Sequence, residues 1–142
     1  MSRRGQLDTL LRIRRLEEDL AKAELAAANR GEREAQEHLR NRLECYRVSD
    51  HGSEATDPTA FLRLRAAGAA LGASIVQAEQ RQEAATAASE QSRAAMRVAR
   101  MRTQGLERLA ERATHAWSQE RLAAEQRAAE ESVARKKTGR RG

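Results

Sequence analysis

Apolar side chains recur at three- and four-residue steps near the start of the chain: Leu7, Leu10, Leu11, Ile13, Leu16, Leu20, Ala23 and Ala27. A helix turns once in about 3.6 residues, so this spacing predicts a first helix with one apolar stripe. A strict heptad continued from Ala27 would bring Arg30, Glu34 and Glu37 onto the stripe, whereas four-residue steps recover Gly31, Ala35, Leu39, Leu43 and then Tyr46. The pattern implies a stutter near Gly31, where a supercoil locally unwinds.

Residues 49–56 break the pattern with Ser, Asp, His and Gly and carry no periodic apolar residue. Asp57 and Pro58 then signal a second helix. The aspartate can cap orphan amides, and proline at the first helical position lacks an N–H that would have no partner anyway. From there, alternating steps visit Leu64, Gly68, Leu71, Ile75, Ala78, Gln82, Ala85, Ser89, Ser92, Met96, Ala99, Thr103, Leu106, Ala110, Ala113, Trp117, Glu120 and Ala124. Glu120 is the one charge on this seam, and none of the nine arginines in residues 64–124 falls on it. Random placement would put about three there. The seam's middle is lined by Ala78, Ala85, Ser89 and Ser92, which allow close helix approach but bury little area per layer.

These patterns predict an all-α fold, a long two-helix antiparallel coiled-coil hairpin with the second helix extending beyond the first. One domain is expected over residues 1–142, with helix one at about 6–48, a loop at about 49–57, helix two at about 58–137 and a basic tail at 138–142. At about 1.5 Å per residue, helix one would measure roughly 60 Å and helix two roughly 120 Å. A short loop would set Leu39 and Leu43 against Phe61 and Leu64 and bring Leu7 only to residues 97–103. Leu106, Leu109, Trp117 and Leu122 would then have no partner within the hairpin, leaving an apolar stripe suited to another protein. A break at Gly105 would instead fold the last segment back as a third helix. One glycine costs a helix only about 1 kcal/mol, and no turn formers surround it, so an unbroken second helix is expected.

Composition reinforces this picture. Phe61, Tyr46 and Trp117 are the only aromatics among 142 residues, Pro58 is the only proline, and Arg, Ala, Glu, Leu and Gln dominate. Sheet is disfavoured, and alanine-rich contact surfaces cannot build a thick core around a ligand pocket. High charge also fits disorder, but the ordered seam of helix two argues against it. No uninterrupted run of 18 apolar residues occurs, and no apolar signal core follows Met1, Ser2, Arg3 and Arg4, so a cytosolic protein is expected. Cys45 has no second cysteine to pair with and is expected as a small, partly buried thiol.

The residues for catalysis are missing. His38, His51 and His115 lie far apart, and no metal site is expected. Glu17, Glu18 and Asp19, like Glu130 and Glu131, sit among arginines as a solvated face would. There is no glycine-rich phosphate loop or nucleophile elbow, so neither an enzyme nor a cofactor is expected. The net charge of +6, with Arg3, Arg4, Arg135, Lys136, Lys137, Arg140 and Arg141 near the ends, would attract nucleic acid or an acidic membrane. Base-stacking aromatics are not interleaved with these residues, and most arginines stand three or four residues from a glutamate, so nucleic acid is not expected as a partner.

The arrangement resembles a known family. Leu7, Asp8, Thr9, Leu10, Leu11, Arg12, Ile13, Arg14, Arg15, Leu16, Glu17 and Glu18, followed by the alanine-rich residues 21–28, look like the start of the flagellar export protein FliJ and its YscO-like counterparts in type III secretion. Leu39, Leu43 and Tyr46 before the loop, Phe61 and Leu62 after it, and Glu130 and Glu131 near the end extend the likeness. The resemblance implies a stalk, similar to the coiled-coil stalk of the rotary ATPase gamma subunit. Such a stalk would enter a hexameric export ATPase and link it to the membrane protein of the export gate, with export chaperones as further partners. It also implies a cytoplasmic location, held peripherally at the inner membrane through the export apparatus. Its ATPase end is expected at Leu10, Ile13, Leu16, Leu20, Leu106, Leu109, Trp117 and Leu122, and its gate end at His38, Leu39, Leu43, Tyr46, Phe61 and Leu64. A self-associating coiled-coil scaffold and a basic nucleic-acid-associated protein are the alternatives.

Overall fold

A computed structural model describes residues 3–50 and 57–140, and it consists of two helices, α1 (Arg3–Asp50) and α2 (Pro58–Gly139). Both are long because their sequences are strings of good helix formers without an internal proline. Near the end of α1 the Ser49 hydroxyl donates to the Tyr46 carbonyl at 2.9 Å, and Arg47 in the last turn complements the carbonyl-rich end. Residues 51–56, most of the expected loop and His51 among them, lie outside the described residues.

Helix α2 starts as its sequence dictates. The Asp57 carboxylate accepts from the Ala60 amide at 2.6 Å, and the Asp57 carbonyl accepts from the Phe61 amide at 3.0 Å. This is N-capping, with Pro58 at the position where an N–H is not needed. At the far end the Thr138 hydroxyl donates to the carbonyls of Ala134 and Arg135, both at 3.0 Å. The helix passes through Gly105 without a break, so the third-helix alternative does not occur.

The two helices pack against each other as an all-α hairpin, and their contacts group into two units. In the unit formed by residues 18–99, the buried side chains are Ala21, Ala35, Ala78, Ser89 and Met96. Ser89, 1% exposed, donates to the Asn29 side-chain oxygen at 2.9 Å, and Thr86 donates to Glu32 at 3.5 Å. Small residues allow this close approach, and the hydrogen bonds satisfy the polar groups it covers. No buried side-chain nitrogen or oxygen among the described residues lacks a partner.

The other unit pairs residues 1–17 with 100–142. Here Thr103 is 3% exposed and donates to the Arg14 carbonyl at 3.3 Å. Arg15 reaches Glu107 at 3.8 Å, and the Arg4 guanidinium lies 5.9 Å from the Trp117 ring centroid. Leu7 therefore sits in a stretch of α1 whose ends meet Glu107 and Trp117, beyond the expected residues 97–103. The tight fold-back assumed from the short loop is the source of that error. One consequence is that Leu106 and Trp117, expected without a partner, are half-buried beside α1.

The seam of α2 runs as its sequence indicates. Leu71, Ile75, Ala78, Gln82, Ala85, Ser89, Ser92, Met96 and Ala99 in one unit, and Thr103, Leu106, Ala110, Ala113 and Trp117 in the other, are all buried or half-buried. Its outer members Leu64, Gly68, Glu120 and Ala124 are exposed. On α1 the seam consists of Leu7, Leu11, Arg14, Glu18, Ala21, Leu25, Ala28, Glu32, Ala35 and Leu39, with Gly5, Asn29, Gly31, Gln36 and His38 half-buried beside it. The seam residues keep an unbroken order of alternating four and three residue steps, so there is no stutter at Gly31. Arg14 fits this seam because its stem can pack while its guanidinium reaches Glu17 at 2.9 Å. Cys45 is exposed rather than partly buried.

Gly105 also yields a simple prediction. A Cβ added there meets no atom within 4 Å, and the backbone is helical. Gly105→Ala is therefore expected to stabilise the fold by about 0.5 to 1 kcal/mol, chiefly by restricting the unfolded chain. A higher midpoint in circular-dichroism melting would show it, and a lower one would mean that the position is not open.

Candidate functional site

Because α1 packs through the Leu7 to Leu39 seam, Leu7 and Leu11 of the stripe expected from the sequence are covered and its other members turn elsewhere. Ile13, Leu16, Leu20, Ala23 and Ala27 keep alternating three- and four-residue steps of their own, about 150° round the helix from the seam. All five are exposed, Leu16 at 63% and Leu20 at 62%. Leu10, at the edge of this face, is exposed as well. The helix thus has one face covered by α2 and a second, apolar face left open.

The residues expected at the ATPase end therefore divide by environment. Leu10, Ile13, Leu16 and Leu20 lie on the outer face of α1, and Leu109 and Leu122 are exposed on α2. Leu106 and Trp117 instead belong to the packing between helices. The Arg4 contact on Trp117 is a cation–π pair worth about 0.5 to 1 kcal/mol at such an exposed place. The Arg15 to Glu107 pair is solvent-exposed and contributes little. Beyond Trp117, every described residue of α2 from Ser118 on is exposed, including Arg135, Lys136 and Lys137.

Of the residues expected at the gate end, Tyr46, Phe61 and Leu64 lie within about two turns of a helix end, whereas His38 and Leu39 lie about three turns inside α1. Leu43, Tyr46, Phe61 and Leu64 are exposed, whereas His38 and Leu39 are half-buried, Leu39 as a seam residue. One exposed aromatic therefore stands on each helix, Tyr46 on α1 and Phe61 on α2. Among the described residues, no three His, Cys, Asp or Glu side chains gather as a metal site would require.

Two features escaped the sequence reading. One is the true seam of α1, disguised by Arg14, Glu18 and Glu32, although the hydrogen-bonding residues Asn29 and Ser89 could have marked it. The other is Leu62, which is 64% exposed in a stretch of α2 with no acidic residue.

Neither a curated protein nor a solved structure matches the chain. The family model described as Flagellar FliJ protein does match, over residues 2–142. A two-helix fold whose whole length falls within that match leaves one assignment: the chain belongs to the flagellar FliJ protein family.

Proposed function

We propose that the chain is the stalk of a flagellar export apparatus, binding a hexameric export ATPase through the outer face of α1 and the exposed end of α2. Family membership supports a component of flagellar protein export, a structural one rather than an enzyme. The observation that carries the finer reading is the exposed Ile13, Leu16, Leu20 stripe on a helix whose opposite side is already packed. Leu109 and Leu122 add apolar contacts, and the arginines among them suit an acidic ring lining. The test is to add the purified chain to the purified hexameric ATPase and follow ATP hydrolysis and co-elution. Stimulation with co-elution is expected. A folded chain that does neither would overturn the proposal.

The loop end is proposed to meet the export gate through Leu43, Tyr46, Phe61 and Leu64. Joint replacement Tyr46→Ala and Phe61→Ala is expected to weaken gate binding by about tenfold or more, as loss of aromatic anchors does. Both side chains are exposed, so ATPase stimulation should persist. Loss of both functions together would contradict this division of labour.

A further inference from the structure

The start of α2 differs in kind from the rest of the protein. Charged residues make up 34% of the chain, yet residues 58–78 contain no carboxylate and only two charges, Arg63 and Arg65. An 18-residue stretch of α2 reaches a mean hydropathy of 1.2 with no more than two charged residues, and none of it is buried. That composition occurs in this acid-free segment. Here α1 covers one side, where Leu71 and Ile75 are half-buried and Ala78 is buried. At about 100° per residue, Leu62, Ala66, Ala69, Ala73 and Val76 fall on the opposite side, again in three- and four-residue steps. All five are exposed.

We infer that residues 59–76 lie against the surface of an anionic lipid bilayer, with this second stripe sinking into the headgroup boundary. Arg63 and Arg65 flank the stripe on opposite sides, so their stems can lie along the apolar region while both guanidinium groups reach lipid phosphates. The one carboxylate at this end of the helix, Asp57, is engaged in capping the Ala60 amide, and residues 58–78 carry none to repel those phosphates. The alanines make the stripe shallow, which suits a helix lying in the interface better than the deep layers of a stable helix dimer. A span is less suitable, since two arginines fall inside the stretch and α1 packs alongside its second half. Phe61 and Leu64 point to other sides of α2, so lipid contact and the proposed gate contact do not compete. The inference does not depend on the ATPase reading.

The test is co-sedimentation of the full chain with vesicles of phosphatidylethanolamine and phosphatidylglycerol, beside vesicles of phosphatidylcholine alone. Binding is expected to the first and not the second. The exposed-site replacements Leu62→Asp with Ala69→Asp, and separately Arg63→Glu with Arg65→Glu, should each lower it by about tenfold or more. Circular dichroism would confirm that helix content is kept. The replacements Arg135→Glu, Lys136→Glu and Lys137→Glu together should leave most binding in place. Binding that vanishes with this tail variant but survives Leu62→Asp with Ala69→Asp would overturn the inference. So would failure to bind anionic vesicles, or sedimentation velocity showing a dimer that Leu62→Asp with Ala69→Asp abolishes, since that stripe would then be a protein interface.

Discussion

Replacing Leu16 and Leu20 together by glutamate is expected to leave the fold nearly intact while removing most of the stimulation of the export ATPase. Both side chains are more than 60% exposed and lie off the packed seam. Surface changes of this kind alter stability by no more than about 0.5 kcal/mol, and glutamate is nearly as good a helix former as leucine. At an interface the same change sets two charges against an apolar partner. Loss of a central anchor typically costs about 2 kcal/mol or more, roughly thirtyfold in affinity. Hydrolysis measured against stalk concentration would show the loss as a shift to much higher concentration. Full stimulation by this variant would remove the outer face of α1 from the ATPase contact, and unfolding would mean that the stripe belongs to the core.

Met96→Ala should act in the opposite way, on stability first. Met96 is 7% exposed and is the largest of the buried side chains, among neighbours as small as Ala78 and Ser89 in the same unit. A thin coil has few other layers to compensate for the cavity, so a loss of about 2 to 3 kcal/mol is expected in urea unfolding. Met101 provides the control, since it is 69% exposed five residues further along the same helix. Met101→Ala should change stability by no more than about 0.5 kcal/mol. Equal effects at the two positions would contradict the seam as described.

The contrast between the helices shows what the sequence disclosed. On α2 the seam was readable because charge is excluded from it, and Leu71 to Trp117 follow in the expected order. On α1 equally large apolar residues lie on both faces: Leu7, Leu11, Leu25 and Leu39 are packed, whereas Ile13, Leu16 and Leu20 are not. Leu16 and Leu20 make a better apolar stripe than a seam that includes Arg14, Glu18 and Glu32, so hydrophobic periodicity alone selects the outer face. The real seam is decided by the partner: Ser89 donates its hydroxyl to the Asn29 side-chain oxygen, which a purely apolar stripe could not offer, and Thr103 donates to the Arg14 backbone carbonyl. The apparent stutter at Gly31 came from following the outer stripe until it ended and then stepping onto the inner one. The pairing register was misjudged for a separate reason, because nothing in a short polar segment states how far along α2 the end of α1 lies. The expected packing of Leu43 against Phe61 and Leu64 fails for the same reason, since all three are exposed, and the loss of Leu106 and Trp117 to internal packing likewise followed only from the register.

The claim that α1 has one packed and one open apolar face can be tested directly by cysteine reactivity. In a Cys45→Ser background, the single replacements Leu11→Cys, Leu16→Cys, Leu20→Cys and Leu25→Cys would be labelled with a maleimide, with and without the export ATPase. Rapid labelling at positions 16 and 20, slowed when the ATPase is present, and slow labelling at positions 11 and 25 throughout is the predicted result. Rapid labelling at 11 and 25 with slow labelling at 16 and 20 in the free chain would contradict the account.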